Sequence, residues 1–293
     1  MRRDRAWFAA FLFLAGCGCT GGGGGQGEGI LVFVSIAPQA AFVERVGGDH
    51  VTPHVLVPPG RSPATYEPTP KQVAKLGEAK VFFCIGVPFE KGFLDELRST
   101  HPDLEIVDTR EGIELRRMRS SSGAGRPGEG WGDDPHIWLD PLRVKRQAKT
   151  ICDALVRLDP GHRDAYESNL EAFRKDLDAV NDRIADTLAP LKGKKLFVFH
   201  PSFGYFADRY GLEQVSVEAE GKEPGPKQLA GLIEQAEQAG AKVIFVQPQF
   251  STKSARTVAR ALDGKVVTLD PLARNSIENL ETMASRIREA LAP

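Results

Sequence analysis

Asp159-Pro160-Gly161-His162-Arg163-Asp164-Ala165-Tyr166 opens a segment that runs to Leu188, and its reading decides the architecture. Tyr166, Leu170, Phe173, Leu177, Val180, Ile184 and Leu188 recur at intervals of 4, 3, 4, 3, 4 and 4. That is one apolar stripe on one helix. About thirty residues at 1.5 Å each make a rod of roughly 45 Å. A short coiled coil would want at least four clean heptads, and this segment has fewer. The regions on either side alternate strands with helices, so the stripe predicts a strut packed against both.

Before the strut, Ile30 to Ile36 reads as a buried strand and Pro38 to Val46 as a helix stopped at Gly47-Gly48. His50 to Val57 is a second strand. Thr69-Pro70-Lys71-Gln72 combines an N-cap, a first-turn proline and a capping-box glutamine, predicting a helix to about Lys80. Val81 to Ile85 reads as a strand, Phe89 to Arg98 as a helix and Leu104 to Val107 as a strand. Glu114 to Asp134, with Arg116, Arg117, Arg119 and a serine run, has almost no apolar content and reads as a mobile loop within the first half. After the strut the pattern repeats: strand Lys195 to Phe199, helix Gly204 to Tyr210, strand Gln214 to Val217, helix Pro226 to Ala239. Strand Lys242 to Val246, helix Thr252 to Leu262, strand Lys265 to Leu269 and a terminal helix complete it. Strands separated by helices make parallel βα units. The expected fold class is α/β, two lobes of parallel-sheet βα units joined by one long helix.

The first sixteen residues differ from the rest. Arg2, Arg3 and Arg5 form a positive region, and Trp7 to Leu14 an apolar run too short to span a bilayer. Leu14-Ala15-Gly16-Cys17 resembles a lipobox, in which the chain is cut before a cysteine that then carries lipid. An ordinary secretory signal is the plainer alternative, but the glycine-rich run from Gly18 to Gly29 suits a tether between anchor and folded body. The expected organisation is a signal over 1–16, a tether over 17–29, an N-terminal lobe over 30–158, a linking helix over 159–189 and a C-terminal lobe over 190–293. The expected place is the cell envelope outside the cytoplasm, held to a membrane through the lipid on Cys17.

The whole chain carries a net charge of −1, and without its leader (Arg2, Arg3, Arg5 and Asp4) about −3. Such a balance gives no reason to expect nucleic acid or a basic membrane-binding face. Cys84 lies in an apolar strand and Cys152 on an amphipathic helix; buried free thiols or a disulfide both fit. No phosphate-binding glycine signature follows a strand, and neither G-x-S-x-G nor H-E-x-x-H occurs.

Three ligand-type residues fall at element ends. His136 stands in Asp134-Pro135-His136-Ile137-Trp138, His200 ends the strand in Phe199-His200-Pro201, and Asp270 ends another in Leu269-Asp270-Pro271. Open α/β sheets bind ligands beyond the carboxyl ends of their strands. Imidazole with carboxylate suits zinc, manganese or iron(II). Singly, a strand-end histidine is often a satisfied polar residue, and Asp before Pro a helix cap; together they point to a site.

These contexts resemble the cluster A-I solute-binding proteins of bacterial ABC importers, which capture zinc or manganese. The resemblance runs through Val57-Pro58-Pro59-Gly60, Ser62-Pro63, Tyr66-Glu67-Pro68, Asp134-Pro135-His136-Ile137-Trp138, Phe199-His200-Pro201 with Tyr205-Phe206, Phe245-Val246-Gln247-Pro248-Gln249-Phe250 and Asp270-Pro271-Leu272. It implies a metal held between the lobes by His136, His200 and Asp270, with zinc first and manganese second. The partner it implies is an ABC permease, and the protein a monomer without catalysis. One position departs: where the family usually carries a histidine, this chain has Ala64. Water or a carboxylate such as Glu67, Glu218 or Glu220 would then complete the site. Many zinc-specific relatives also carry a histidine-rich loop before the Asp-Pro-His motif, and the corresponding loop here is arginine, serine and glycine.

Two other functions share these residues. A metallohydrolase would use two histidines, an aspartate and a metal-bound water, but needs a general base that no motif displays. A binding protein for a metal complex or another solute would accommodate the loss at Ala64.

Overall fold

The computed structural model describes residues 29–118, 132–216, 225–250 and 252–292. The leader, Cys17, most of the tether, the centre of the arginine–serine loop, Glu218 and Glu220 lie outside the described residues.

In the first lobe β1 (Ile30–Val34), β2 (Val51–Val55), β3 (Val81–Cys84) and β4 (Glu105–Asp108) form an all-parallel sheet in the order β2-β1-β3-β4. Helices α1 (Ala37–Gly47), α2 (Pro70–Leu76) and α3 (Glu90–Thr100) make the crossovers. In the second lobe β5 (Lys195–Val198), β6 (Glu213–Ser216), β7 (Val243–Val246) and β8 (Lys265–Thr268) repeat that order as β6-β5-β7-β8, again all parallel. Its helices are α6 (Gly204–Tyr210), α7 (Pro226–Gln238) and α8 (Lys253–Ala261). Each order reverses beside its first strand, which places a crevice at the carboxyl ends of β1 and β3, and of β5 and β7.

Between the sheets run α4 (Pro141–Leu158) and α5 (Arg163–Leu188), with short 3-10 turns on either side of α5, and α9 (Ser276–Leu291) closes the chain. All seven residues of the predicted stripe on α5 are buried, none more than 4% exposed. At 26 residues α5 is about 39 Å long, a little shorter than predicted, because Pro160–His162 form a 3-10 turn first. One continuous apolar core takes in the first sheet, α4, α5, α9 and the near face of the second sheet. The period of two in the strands divides the second sheet cleanly. Leu196, Val198, Val243 and Phe245 face this shared core, while Phe197, Phe199, Ile244 and Val246 pack a separate layer with Ala255, Val258 and Leu262.

Local signals behave as their chemistry requires, with adjusted ends. The capping box at Thr69 forms: Gln72 N donates to Thr69 Oγ1 at 3.4 Å and Thr69 N to Gln72 Oε1 at 3.0 Å. The helix it starts ends at Leu76 instead of about Lys80, where Gly77 packs against the His101 ring too closely for a side chain. Helix α3 is kinked at Lys91-Gly92, where Gly92 takes a φ of 85°, open to glycine at no steric cost. Cys84 and Cys152 are buried, unpaired thiols, so no disulfide joins them. Burial raises both, Cys152 to about 11. Among the described residues no helix is long and apolar enough to cross a membrane.

The lobes are tied directly as well as through α5. Trp138, buried, donates its indole N–H to the Pro271 carbonyl at 2.7 Å. Asp140, fully buried, accepts from the Arg209 guanidinium at 3.0 and 3.1 Å and also pairs with Arg143. The Tyr205 hydroxyl accepts from Arg116 N at 3.0 Å and donates to the Asp134 carbonyl at 2.9 Å.

Because Phe173 lies at the middle of the stripe with no exposed surface, Phe173→Ala should cost about 3–5 kcal/mol of unfolding free energy. Urea denaturation followed by circular dichroism checks this. A loss under about 1 kcal/mol would mean that the strut is not part of the shared core.

Candidate metal centre

The carboxyl ends of both sheets open onto one cavity of about 1160 Å³ between the lobes. Its walls include Ala64, Gly86 and Glu90 from the first lobe and His200, Gln249 and Phe250 from the second, with His136 and Trp138 from the segment leading into α4. The position that departs from the family pattern therefore does face the same space as the two histidines. Glu67, exposed, is not among its walls.

His136 is placed by its own tripeptide. The Asp134 carboxylate accepts from His136 N at 3.0 Å and from its Nδ1 at 2.7 Å through the same oxygen, Oδ1, a local turn that Asp-Pro-X sequences favour. A carboxylate only accepts, so Nδ1 carries the proton and the neutral ring keeps its lone pair at Nε2. That arrangement is the one that orients metal-bound histidines. Asp134 is itself buried, with Arg116 Nη1 3.8 Å from Oδ2. Burial pushes the Tyr205 phenol up to about 12, so it stays protonated and donates to the Asp134 carbonyl. Arg116 comes so close to the first turn of α6 that a Cβ on Gly204 would stand 1.4 Å from Nη1, so a side chain there would displace the guanidinium.

His200 follows β5 and is held through its backbone. The buried Gln247 side chain accepts from His200 N at 3.1 Å and donates to His200 O at 2.8 Å, which fixes the strand end where the ring leaves it. Phe250 stacks on the ring with centroids 4.8 Å apart. The outcome is the central geometric fact of the site: His200 Nε2 lies 3.3 Å from His136 Nε2. Two nitrogens bound to one tetrahedral zinc at about 2.0–2.1 Å stand about 3.3–3.4 Å apart. The pair already has the spacing of a tetrahedral edge.

Asp270 stands differently. It lies on a neighbouring cavity of about 220 Å³ with Pro58, Pro59 and Arg274, and the two cavities share Gln249 and Leu272. Its Oδ1 accepts from Gln249 Nε2 at 2.8 Å and from Leu272 N at 3.0 Å, while its carbonyl accepts from Asn279. It caps a turn and not a helix, since α9 begins only at Ser276. The structure therefore brings His136 and His200 together and places Asp270 beside them, behind Gln249. Among the described residues no three His, Cys, Asp or Glu side chains are grouped as a metal cage.

Glu90 and Asp133 are the carboxylates on the cavity wall, and Glu90 is the buried one. It is 2% exposed and accepts from Ser35 Oγ, Ile85 N and Gly86 N. Burial raises its pKa, against the pull of those hydrogen bonds. Its donors come from the ends of β1 and β3, so it stitches that crevice together. Sequence reasoning passed over Glu90, and over Asp134 and Gln247 as partners of the histidines. For Asp134 a signal existed in the Asp-Pro-His turn. Gln247 carries none, because His200 lies 47 residues away in the chain, and Glu90 gains its place on the crevice from the distant Ser35 as well as from the nearby Ile85 and Gly86.

The family model described as "Zinc-uptake complex component A periplasmic" matches residues 32–292. The chain is similar to a solved ZnuA deletion mutant with zinc bound, at 41% identity and a TM-score of 0.84 over 91% of this chain and 99% of that one. It is also similar to the high-affinity zinc uptake system protein ZnuA of Bacillus subtilis, 28% identical over 249 residues, covering 82% of this chain and 78% of that protein. The manganese ABC transporter substrate-binding lipoprotein PsaA of Streptococcus pneumoniae is 26% identical over 269 residues, covering 87% of this chain and 84% of that protein. With two matching lobes, a strut and a histidine pair at their junction, this chain belongs to the family of periplasmic component A proteins of zinc-uptake complexes.

Proposed function

We propose that this protein captures a divalent transition metal ion, zinc first and manganese second, between its lobes outside the cytoplasm and delivers it to an ABC permease. The spacing of 3.3 Å between His136 Nε2 and His200 Nε2, with Asp134 holding the first ring, carries the reading. His136, His200 and Asp270 are the residues assigned to the ion, with Asp270 standing beside the pair against Gln249 and Leu272. The ion is cargo, and no catalytic step is assigned to the site; metal-binding transport relatives fit capture and not hydrolysis. Cys17 is assigned the lipid that keeps the protein at the membrane, as the lipoprotein relative's name fits. The protein acts as a monomer.

A stiff strut with a shared core limits how far two lobes can swing. Scattering profiles with and without zinc should therefore nearly superimpose; a large domain closure would contradict a strut-limited site. Elemental analysis of the purified protein should find about one zinc or manganese per chain. His136→Ala and His200→Ala should each weaken zinc binding by well over tenfold in competition titration, since a direct bond is lost. Binding should also weaken as pH falls from about 7 to about 5, because protons compete with the metal for imidazole. Variants that bind like the parent would remove the histidine pair from the site. Cys17→Ser should move the protein from the membrane to the soluble fraction, and unchanged membrane association would exclude lipidation there.

A further inference from the structure

Gln249, together with Leu272, lines both the cavity of the two histidines and that of Asp270. Its amide orientation is decided by chemistry. The Asp270 carboxylate can only accept, so the group 2.8 Å from Oδ1 is the amide nitrogen, and the oxygen is turned away from Asp270. That oxygen, Oε1, is buried and has no hydrogen-bond donor among the described residues. A buried acceptor left without a partner costs free energy, which a water or a bound ion at that oxygen would offset.

The same construction already occurs once in the site. Asp134 takes the Nδ1 proton of His136 and leaves Nε2 as the outward donor atom. Asp270 takes the amide proton of Gln249 and leaves Oε1. A carboxylate behind a ligand raises the basicity of the ligating atom and fixes its direction. The loop that carries Gln249 also carries Gln247, whose side chain pins the backbone of His200, so the two side chains are supplied to the cavity in fixed relation. On the facing wall Ala64 offers no donor atom at all.

We propose that the side-chain oxygen of Gln249 ligates the captured metal beside His136 and His200, taking the coordination position that Ala64 leaves open. The assignment rests on the reading of the histidine pair as the metal site. It makes the site richer in oxygen than one with three imidazoles, which favours harder ions and narrows the preference for zinc over manganese.

Two variants of the full-length protein test it, read by zinc and manganese competition titration and by the visible spectrum of the cobalt(II)-loaded form. Gln249→Leu removes the oxygen at similar size. It should weaken zinc binding more than tenfold, weaken manganese binding more, and change the cobalt spectrum. Gln249→Met keeps the size and replaces the hard oxygen with a soft sulfur, and should cost manganese binding at least about tenfold more than zinc binding. A Gln249→Leu protein with parental affinity, or with weaker binding and a parental cobalt spectrum, overturns the assignment, the second result meaning that Gln249 only positions Asp270. An unchanged ratio of zinc to manganese affinity in Gln249→Met overturns it independently, and serves if Gln249→Leu fails to fold. If His200→Ala loses zinc while Gln249→Leu keeps it, the histidine pair stands and Gln249 is not a ligand. A parent that binds no metal overturns both readings.

Discussion

The apolar stripe of α5, from Tyr166 to Leu188, is the constraint on which the rest of the molecule depends. The strut with α4 and α9 gives the first sheet and one face of the second a common interior. Burial of large aromatic groups such as Phe173 and Tyr166 along that interior makes relative motion of the lobes costly, because close-packed cores do not deform continuously. Two residues 64 positions apart can then meet at the spacing of a single metal ion's ligands.

Polar ties refine that placement. Trp138 reaches across to the Pro271 carbonyl, Arg209 reaches back to the buried Asp140, and Tyr205 holds Asp134 and Arg116 together. All three flank His136, which stands in the segment between the first sheet and α4. Its direction is thus fixed by the second lobe as much as by its own turn. A bare histidine on a loop would lose rotamer freedom on binding metal; here most of that ordering is done by folding, which favours tight capture.

The two histidines and the aspartate differ in how they meet the site. His200 and Asp270 both follow strands of the second sheet, but β5 is central and β8 is at the edge. A residue leaving the central strand at the point where the order reverses enters the crevice, and one leaving the edge strand lies to its side. This explains why Asp270 sits behind Gln249, which follows the intervening strand β7.

Much of this was legible in the linear chain. The 4-3 spacing from Tyr166 to Leu188 determined a helix with one buried side, and the runs such as Leu196 to Phe199 determined strands covered on both faces. These are local periodicities, and local sterics and solvent partition enforce them wherever the chain goes. The family motifs singled out His136, His200 and Asp270, and the absence of a ligand at Ala64. Only the tertiary structure decided that His136 and His200 face one another, that Asp270 is engaged by Gln249 and Leu272, and that Cys84 and Cys152 remain apart. Those outcomes depend on the order of strands within a sheet and on the packing of two sheets on one strut. Such long-range arrangements leave no period in the sequence, because the residues involved are chosen by what they touch and not by their neighbours in the chain.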